Sequence, residues 1–271
     1  MCRCCISRDA ILHGLAAAAL LLACAALAAA PLDLNQALRT SQAAVSTTVA
    51  PYTLTRTDGV QVRLTDYRGK PLLVNFVYTG CSQVCPTAVR FLGMAMAQAH
   101  ATLGADAFNA VTIGFNLPFD NPQAMRAFAL QHGRPGDHWD FLSPAPAELP
   151  SMARDFGFSF QPTSGGFDHV TQVTIVDAQG RIVRQVYGES FDPQRLIVPL
   201  RGLASGAPPP PEPALSALFE RVRILCTVYD PVSGRYRIDY GLLIEVLAGL
   251  SVIGAVLFYL AAEWRRNRRL A

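Results

Sequence analysis

Leu72-Leu73-Val74-Asn75-Phe76-Val77-Tyr78-Thr79-Gly80-Cys81-Ser82-Gln83-Val84-Cys85-Pro86 joins an almost unbroken apolar run to two cysteines four residues apart. Arg68-Gly69-Lys70-Pro71 breaks the chain before the run and Thr79-Gly80 ends it, which predicts a central strand buried on both faces. From about Ser82 to Leu103 the pattern turns helical, with Val89, Leu92, Met96 and Ala99 on one side. The cysteines thus stand where a central strand feeds a helix.

On a formed first turn, residues four apart lie on one helix face with Cβ atoms about 5–6 Å apart, so both thiols can share a ligand. The partial positive charge and free N–H groups of a helix N-terminus lower a thiol's pKa. The thiolate is the form that metal binding and disulfide exchange both require, so spacing leaves both chemistries open. Soft thiolates select Cu(I) and imidazole also suits copper, so one histidine would complete a small copper site. A purely structural disulfide is the bland alternative, and across so short a loop it stabilises little through chain entropy.

Around this centre the pattern alternates strand and helix. Tyr52 to Arg56 and Val60 to Thr65 flank Asp58-Gly59 and predict an N-terminal β-hairpin. Strands are expected over 110–115 and 139–142, and helices over 122–131 and 147–156. Val170 to Val176 and Arg181 to Tyr187 alternate around Asp177-Ala178-Gln179-Gly180, a turn between strands, and 193–203 closes the series as a helix. The fold class expected is α/β: a thioredoxin-like domain with an N-terminal β-hairpin over 45–205, plus a C-terminal transmembrane helix.

Both ends of the 271-residue chain read as membrane-directed. Residues 1–30 have the form of a signal peptide: Arg3 and Arg8, an apolar Ala/Leu run, then Ala26-Leu27-Ala28 as a cleavage site. Leu21-Leu22-Ala23-Cys24 is a weak competing lipobox. Residues 206–214 form a proline-rich linker, 215–241 a membrane-proximal segment, and 242–262 an apolar stretch with one charge, Glu245, matching the roughly 20 residues a helical span needs. Trp264 and the arginines at 265, 266, 268 and 269 follow, so 263–271 is expected to be a basic cytoplasmic tail. The domain then lies in the periplasm, on a single-pass anchor in the inner membrane. The net charge of +3 belongs to the two ends, and residues 31–240 sum to zero, so no basic surface for nucleic acid is implied. Of the 7 cysteines, Cys2, Cys4, Cys5 and Cys24 fall in the signal, leaving Cys81, Cys85 and Cys226. In an oxidising compartment a close pair persists as a disulfide or as metal ligands.

From about Tyr52 to Leu203 the sequence resembles the Sco/SenC family of copper-handling proteins that serve cytochrome c oxidase assembly. The resemblance is carried by Arg68-Gly69-Lys70-Pro71, the strand ending Val77-Tyr78-Thr79-Gly80, the CxxxCP motif at Cys81 and Cys85, Phe167-Asp168-His169 before a strand, and Asp177-Ala178-Gln179-Gly180. It implies that Cys81, Cys85 and His169 bind one copper ion, as Cu(I) or Cu(II). It further implies a copper metallochaperone that delivers the ion to the dinuclear copper centre of the oxidase's copper-accepting subunit, with a periplasmic copper donor upstream. The alternative role is a thiol–disulfide oxidoreductase, with Cys81 and Cys85 redox-active, that reduces the cysteines of the oxidase copper site. A thiol peroxidase is a third, weaker reading.

Two positions depart from the family pattern. Ser82 replaces the usual proline after the first cysteine, and Asn116 replaces the first carboxylate of a segment whose Asp120 and Pro122 are kept. Taken alone, His169 reads as a surface-loop histidine, and His100, His132 and His138 as helix-end or loop residues. Met96 reads as core and Met94 as packed or exposed, with soft sulfur near the site as the less favoured role. Cys226 reads as a structural thiol.

Overall fold

The computed structural model describes residues 32–133, 138–206, 227–230, 235–238 and 240–268. The signal segment, the linker, most of the membrane-proximal segment and Cys226 lie outside them.

The expected central strand is β3, Leu72–Val77, with every residue buried. Its register pairs Leu72–Val77 in parallel with β4, Asn109–Gly114, and Leu72–Asn75 antiparallel with β8, Gln172–Val176. The remaining strands are β1, Thr53–Arg56; β2, Gln61–Arg63; β5, Trp139–Pro144; and β9, Ile182–Tyr187. Together they make a seven-stranded sheet in the order β2-β1-β5-β4-β3-β8-β9. The predicted N-terminal hairpin is therefore no isolated flap, because β1 also pairs antiparallel with β5 and extends the sheet. The parallel trio β5-β4-β3 needs crossover helices, and α2, Val84–Leu103, and α3, Pro122–His132, supply them.

Alternation along β3 divides the core. Leu73 and Val77 pack with Val89, Leu92 and Met96 of α2, Met125 and Phe128 of α3, and Leu196 and Leu200 of α5, Gln194–Ala204. Leu72, Val74 and Phe76 face the other side, with Met152 and Ala153 of α4, Leu149–Asp155, and with Phe156 and Phe158. The polar Asn75 is tolerated in this strand because Thr112 donates to its Oδ1 at 2.7 Å, while the Trp139 indole donates to Thr112 at 2.9 Å.

The structure adds two elements that the pattern did not reveal. A helix, α1, Leu34–Ala43, capped by Asp33, precedes the expected domain start at 45 and packs on the sheet. Ser41 on this helix is fully buried and donates to Gln172 Oε1 at 3.0 Å, and Gln172 Nε2 donates to the Phe156 carbonyl at 3.1 Å. A second hairpin, β6, Phe160–Thr163, with β7, Gly166–His169, stands outside the main sheet. Two starts also shift: the helix expected from 147 begins at Leu149, and the cysteine helix begins at Val84 rather than near 82.

Beyond the domain, β10, Thr227–Asp230, pairs antiparallel with β11, Arg235–Ile238, and the centre of the turn expected over 229–236 lies outside the described residues. A long helix, α6, Tyr240–Arg268, follows. Among the described residues no helix is long and apolar enough to cross a membrane. The described side chains of α6 are Ile244, residues 247–259 and Arg265, a continuous stretch shorter than the roughly 20 residues a span needs. All of those side chains are exposed.

The buried amide of Gln172 ties α1 to the sheet, so Gln172→Ala should remove two buried hydrogen bonds, leaving the Ser41 hydroxyl to Tyr187 and the Phe156 carbonyl to Gln185. Each lost bond costs about 0.5–1.5 kcal/mol. The expected result is a clear fall in the urea midpoint together with faster proteolysis within α1, and an unchanged midpoint would contradict this role.

Candidate functional site

At the carboxyl end of β3 the chain leaves the sheet through Tyr78, Thr79 and Gly80, and Cys81 N–H donates to the Tyr78 carbonyl at 3.1 Å. Because α2 begins only at Val84, Cys81 sits in the turn ahead of the helix while Cys85 lies within its first turn. The two sulfurs do not simply share a helix face, as the spacing suggested. Gln83, at the cap position, makes no side-chain cap bond, and Cys85 N–H instead donates to Cys81 Sγ at 3.2 Å. Sulfur takes the place that an oxygen cap usually fills.

This geometry separates the two thiols. A hydrogen bond from the Cys85 thiol foremost, helped by the Cys85 and Gln83 N–H groups and the Tyr78 hydroxyl, brings the Cys81 pKa down to about 5 against the opposing effect of burial. Cys85, only 2% exposed, is pushed well up, because it gives its proton to the bond with Cys81 and because burial disfavours its charge. At neutral pH Cys81 is thiolate and Cys85 is thiol.

His169 ends β7 rather than lying in a loop. Its ring stands edge-on to Phe115 and Tyr78, with centroids 5.4 and 6.3 Å away, and tilted against Phe158 at 5.7 Å. Burial holds its pKa down at about 4, so the ring is neutral, the form in which it can bind a metal. Its Nδ1 is buried and has no hydrogen-bond partner. Cys85, His169, Thr171, Gly188 and Phe191 line one small cavity with about 10 Å³ of free space, roughly enough for one water-sized guest. The residues therefore suit a soft cation once Cys85 gives up its proton: a thiolate, a second sulfur, and a neutral imidazole with a bare nitrogen. As they stand, no three His, Cys, Asp or Glu side chains among the described residues are gathered closely enough to hold a metal ion. The cysteines are together, and His169 shares a cavity with Cys85.

Three neighbours escaped the sequence reading as parts of the site. Tyr78 appeared there only as the end of a strand. Asp120, fully buried, accepts from Thr79 N–H at 2.8 Å, from Thr79 Oγ1 at 2.7 Å and from Asn116 N–H at 2.7 Å, fixing the turn before Cys81 to the loop after β4. Asn116 contributes here through its backbone, which its amide side chain leaves unchanged. Glu189 is half-buried, and burial followed by the charge of Cys81 raises its pKa. Only the retained Asp120 in the 116–122 segment gave any signal in advance.

The other candidates lie elsewhere. Met96 is buried in the core and Met94 is exposed. His100 stacks on Phe108 with centroids 4.0 Å apart, His132 lies 3.3 Å from Arg90, and His138 lies 3.3 Å from Asp106.

A mixed sheet with helices on both faces and a cysteine pair where its central strand feeds a helix defines a thioredoxin-like protein. The SCO1/SenC family profile matches residues 40–205, more than half of the chain, and the chain belongs to that family. A curated relative, the SCO1 protein homolog of Bacillus subtilis, is 24% identical over 156 residues, which span 55% of this chain and 79% of the relative. Among solved structures, Arabidopsis thaliana ScoI with copper bound superposes with a TM-score of 0.50 at 22% identity, over 59% of this chain and 97% of that one. BsSco, a member of the Sco family of cytochrome c oxidase assembly proteins in which a disulfide switch was identified, gives 0.50 at 22%, over 59% and 95%. At these identities the likeness establishes the shared fold.

Two outcomes follow from the geometry. Iodoacetamide should modify Cys81 with a midpoint near pH 5 and leave Cys85 unmodified on the same timescale; Cys85→Ala should move that midpoint upward, since the largest stabilising bond is removed. Modification of Cys85 first would reverse the assignment. For His169, the folded pKa of about 4 lies below the ordinary value of 6.5, so below pH 6.5 the unfolded chain takes up the proton first. Stability of the metal-free protein should be full above about pH 6.5 and fall by up to roughly 3 kcal/mol as the pH drops through 4. His169→Asn should abolish that part of the acid dependence in urea melts, and an unchanged slope would contradict the buried neutral ring.

Proposed function

We propose that this protein is a membrane-anchored periplasmic copper metallochaperone whose cargo is held by Cys81, Cys85 and His169. The observation that carries the reading is the unpartnered, buried Nδ1 of a neutral His169 on the cavity that Cys85 also lines. A buried nitrogen without a partner costs free energy, and a bound cation offsets that cost. Copper is the cation that this soft N/S donor set favours. Bringing all three donors onto one ion requires the cysteine turn and the histidine hairpin to draw together. A site that completes itself only around its cargo is also one from which a recipient's ligands can extract the ion.

The recipient in this reading is the copper-accepting subunit of cytochrome c oxidase, at its dinuclear copper centre, consistent with the family and with its relative BsSco. Residues 1–30 serve as the export signal, 45–205 with the preceding helix as the copper domain, 206–214 as linker, 215–241 as the membrane-proximal segment, 242–262 as the span and 263–271 as the cytoplasmic tail. The run 247–259 supports the anchor, since it is helical, uncharged and exposed on every side, as suits a helix surrounded by lipid. Tethering raises the effective concentration near a membrane-bound recipient.

The divided pair favours one second reading. A low-pKa thiolate beside a protonated thiol is the arrangement of an attacking and a resolving cysteine. In the thiol–disulfide oxidoreductase role, Cys81 sulfur attacks a partner disulfide, one partner thiolate leaves, and Cys85 then displaces the second as the Cys81–Cys85 bond forms. The two readings part at His169, which disulfide exchange does not need.

Competitive Cu(I) titration of the full-length chain tests this. His169→Ala, Cys81→Ser and Cys85→Ser should each weaken binding by about a hundredfold or more, since even outer-shell changes cost 10–100-fold. Tight binding that survives His169→Ala, with oxidase maturation still dependent on the cysteines, would transfer the function to disulfide reduction.

A further inference from the structure

Tyr78 is the residue through which the two halves of the site touch. Its backbone carbonyl accepts from Cys81 N–H, so it is locked to the cysteine turn. Its ring leaves that turn and stands edge-on to Phe167 at 5.2 Å, to Phe115 at 5.5 Å and to His169 at 6.3 Å. Its hydroxyl lies over Gly166, so near that a Cβ added there would sit 2.5 Å from the oxygen. Gly166 also has φ +130, a conformation L side chains rarely adopt, so two constraints of the hairpin meet at one glycine. The hydroxyl thus lies against the hairpin at Gly166, and on its other side it is among the groups that hold the Cys81 pKa down.

We propose that Tyr78 is the positioning residue of the site: its hydroxyl fastens the β6–β7 hairpin, and with it His169, to the Cys81 turn. The hairpin lacks any pairing with the main sheet, so few backbone bonds restrain it. Without them, the reach of His169 toward the cysteines depends on side-chain contacts, and Tyr78 makes them from the position directly after the fully buried β3. Three ligands drawn from two elements then behave as one site, because the elements share a hinge of fixed length. A phenylalanine here would keep the ring contacts and lose only the hydroxyl that reaches Gly166 and the Cys81 turn.

The proposal deepens the copper reading, yet its first test needs no copper. In the full-length metal-free chain, Tyr78→Phe should speed hydrogen–deuterium exchange of the 160–169 peptide by about tenfold or more at its slowest amides, leaving peptides from β3 and β4 unchanged. Gly166→Ala should loosen the same peptide from the opposite side. In the Tyr78→Phe/Gly166→Ala double variant the two losses should fall short of additive, because the closest colliding atom is gone. The second arm is Cu(I) competition and the thiolate-to-Cu(II) absorption band. Tyr78→Phe should weaken binding and shift the band while the thermal midpoint stays close to wild type, and it should add little in a His169→Ala background. Unchanged exchange over 160–169 overturns the proposal, whatever copper does. Faster exchange with wild-type copper affinity overturns it as well. A wild-type protein that binds no copper sinks the metallochaperone reading instead, and the exchange arm alone then decides whether Tyr78 fastens the hairpin.

Discussion

A strand buried on both faces cannot shift by one residue without driving every side chain into the wrong half of the core. β3 is under that constraint along its whole length, with Leu73 and Val77 committed to the helices and Leu72, Val74 and Phe76 to the opposite layer. The turn that follows inherits the rigidity. Thr79 is fixed by Asp120 through its backbone and its hydroxyl, and Cys81 by the Tyr78 carbonyl. The reactive sulfur is therefore held by the best-determined part of the molecule, while its histidine counterpart belongs to a hairpin outside the main sheet. That contrast in rigidity organises the site more than any single distance within it.

The same backbone explains why two adjacent thiols acquire different characters. A helix that begins at Val84 directs its free N–H groups back at whatever precedes it, and here that is sulfur rather than an oxygen cap. The stabilisation falls on Cys81 alone, since Cys85 already lies inside the helix and the core. Once one sulfur is charged, its neighbour becomes a donor, and the pair settles into thiolate and thiol. Such a pair holds a proton that must leave before both sulfurs can bind one cation. In the copper reading, metal capture at this centre is therefore coupled to proton release.

What the sequence disclosed follows from how local each signal was. The strand, helix and cysteine turn of 72–103 were legible because apolar periodicity and the Gly80 break act over a few residues. The offset of the helix start to Val84 was not, since it depends on Cys81 sulfur acting as a cap, and no propensity encodes that. The helix over 34–43 escaped because its buried side is small and polar: Ala37 and Ser41 do the packing, and Ser41 is satisfied by Gln172 and Tyr187, 131 and 146 residues away. The β6–β7 hairpin escaped because Phe160 to His169 has little alternation and packs as an aromatic cluster with Phe115, Phe158 and Tyr78. Family likeness supplied His169 where periodicity could not. The contributions of Asp120, Glu189 and Tyr78 depend on tertiary neighbours and became visible only with the fold.

The departures at Ser82 and Asn116 carry different weight once the contacts are known. Asn116 donates to Asp120 through its main chain, a role any residue but proline can fill, so the missing carboxylate does not disturb the tether of the cysteine turn. Ser82 lies between the thiolate and the helix cap, in the segment whose N–H groups stabilise Cys81. A proline there would fix φ and remove one N–H beside the charged sulfur. With serine the segment keeps that donor and the freedom to adjust its backbone. In the proposed three-donor reading, with His169 on a separate hairpin, that freedom lies where adjustment is needed, on the rigid side of the gap. The sequence change and the division of the site between a fixed strand and an outlying hairpin thus bear on one step, the approach of the two elements.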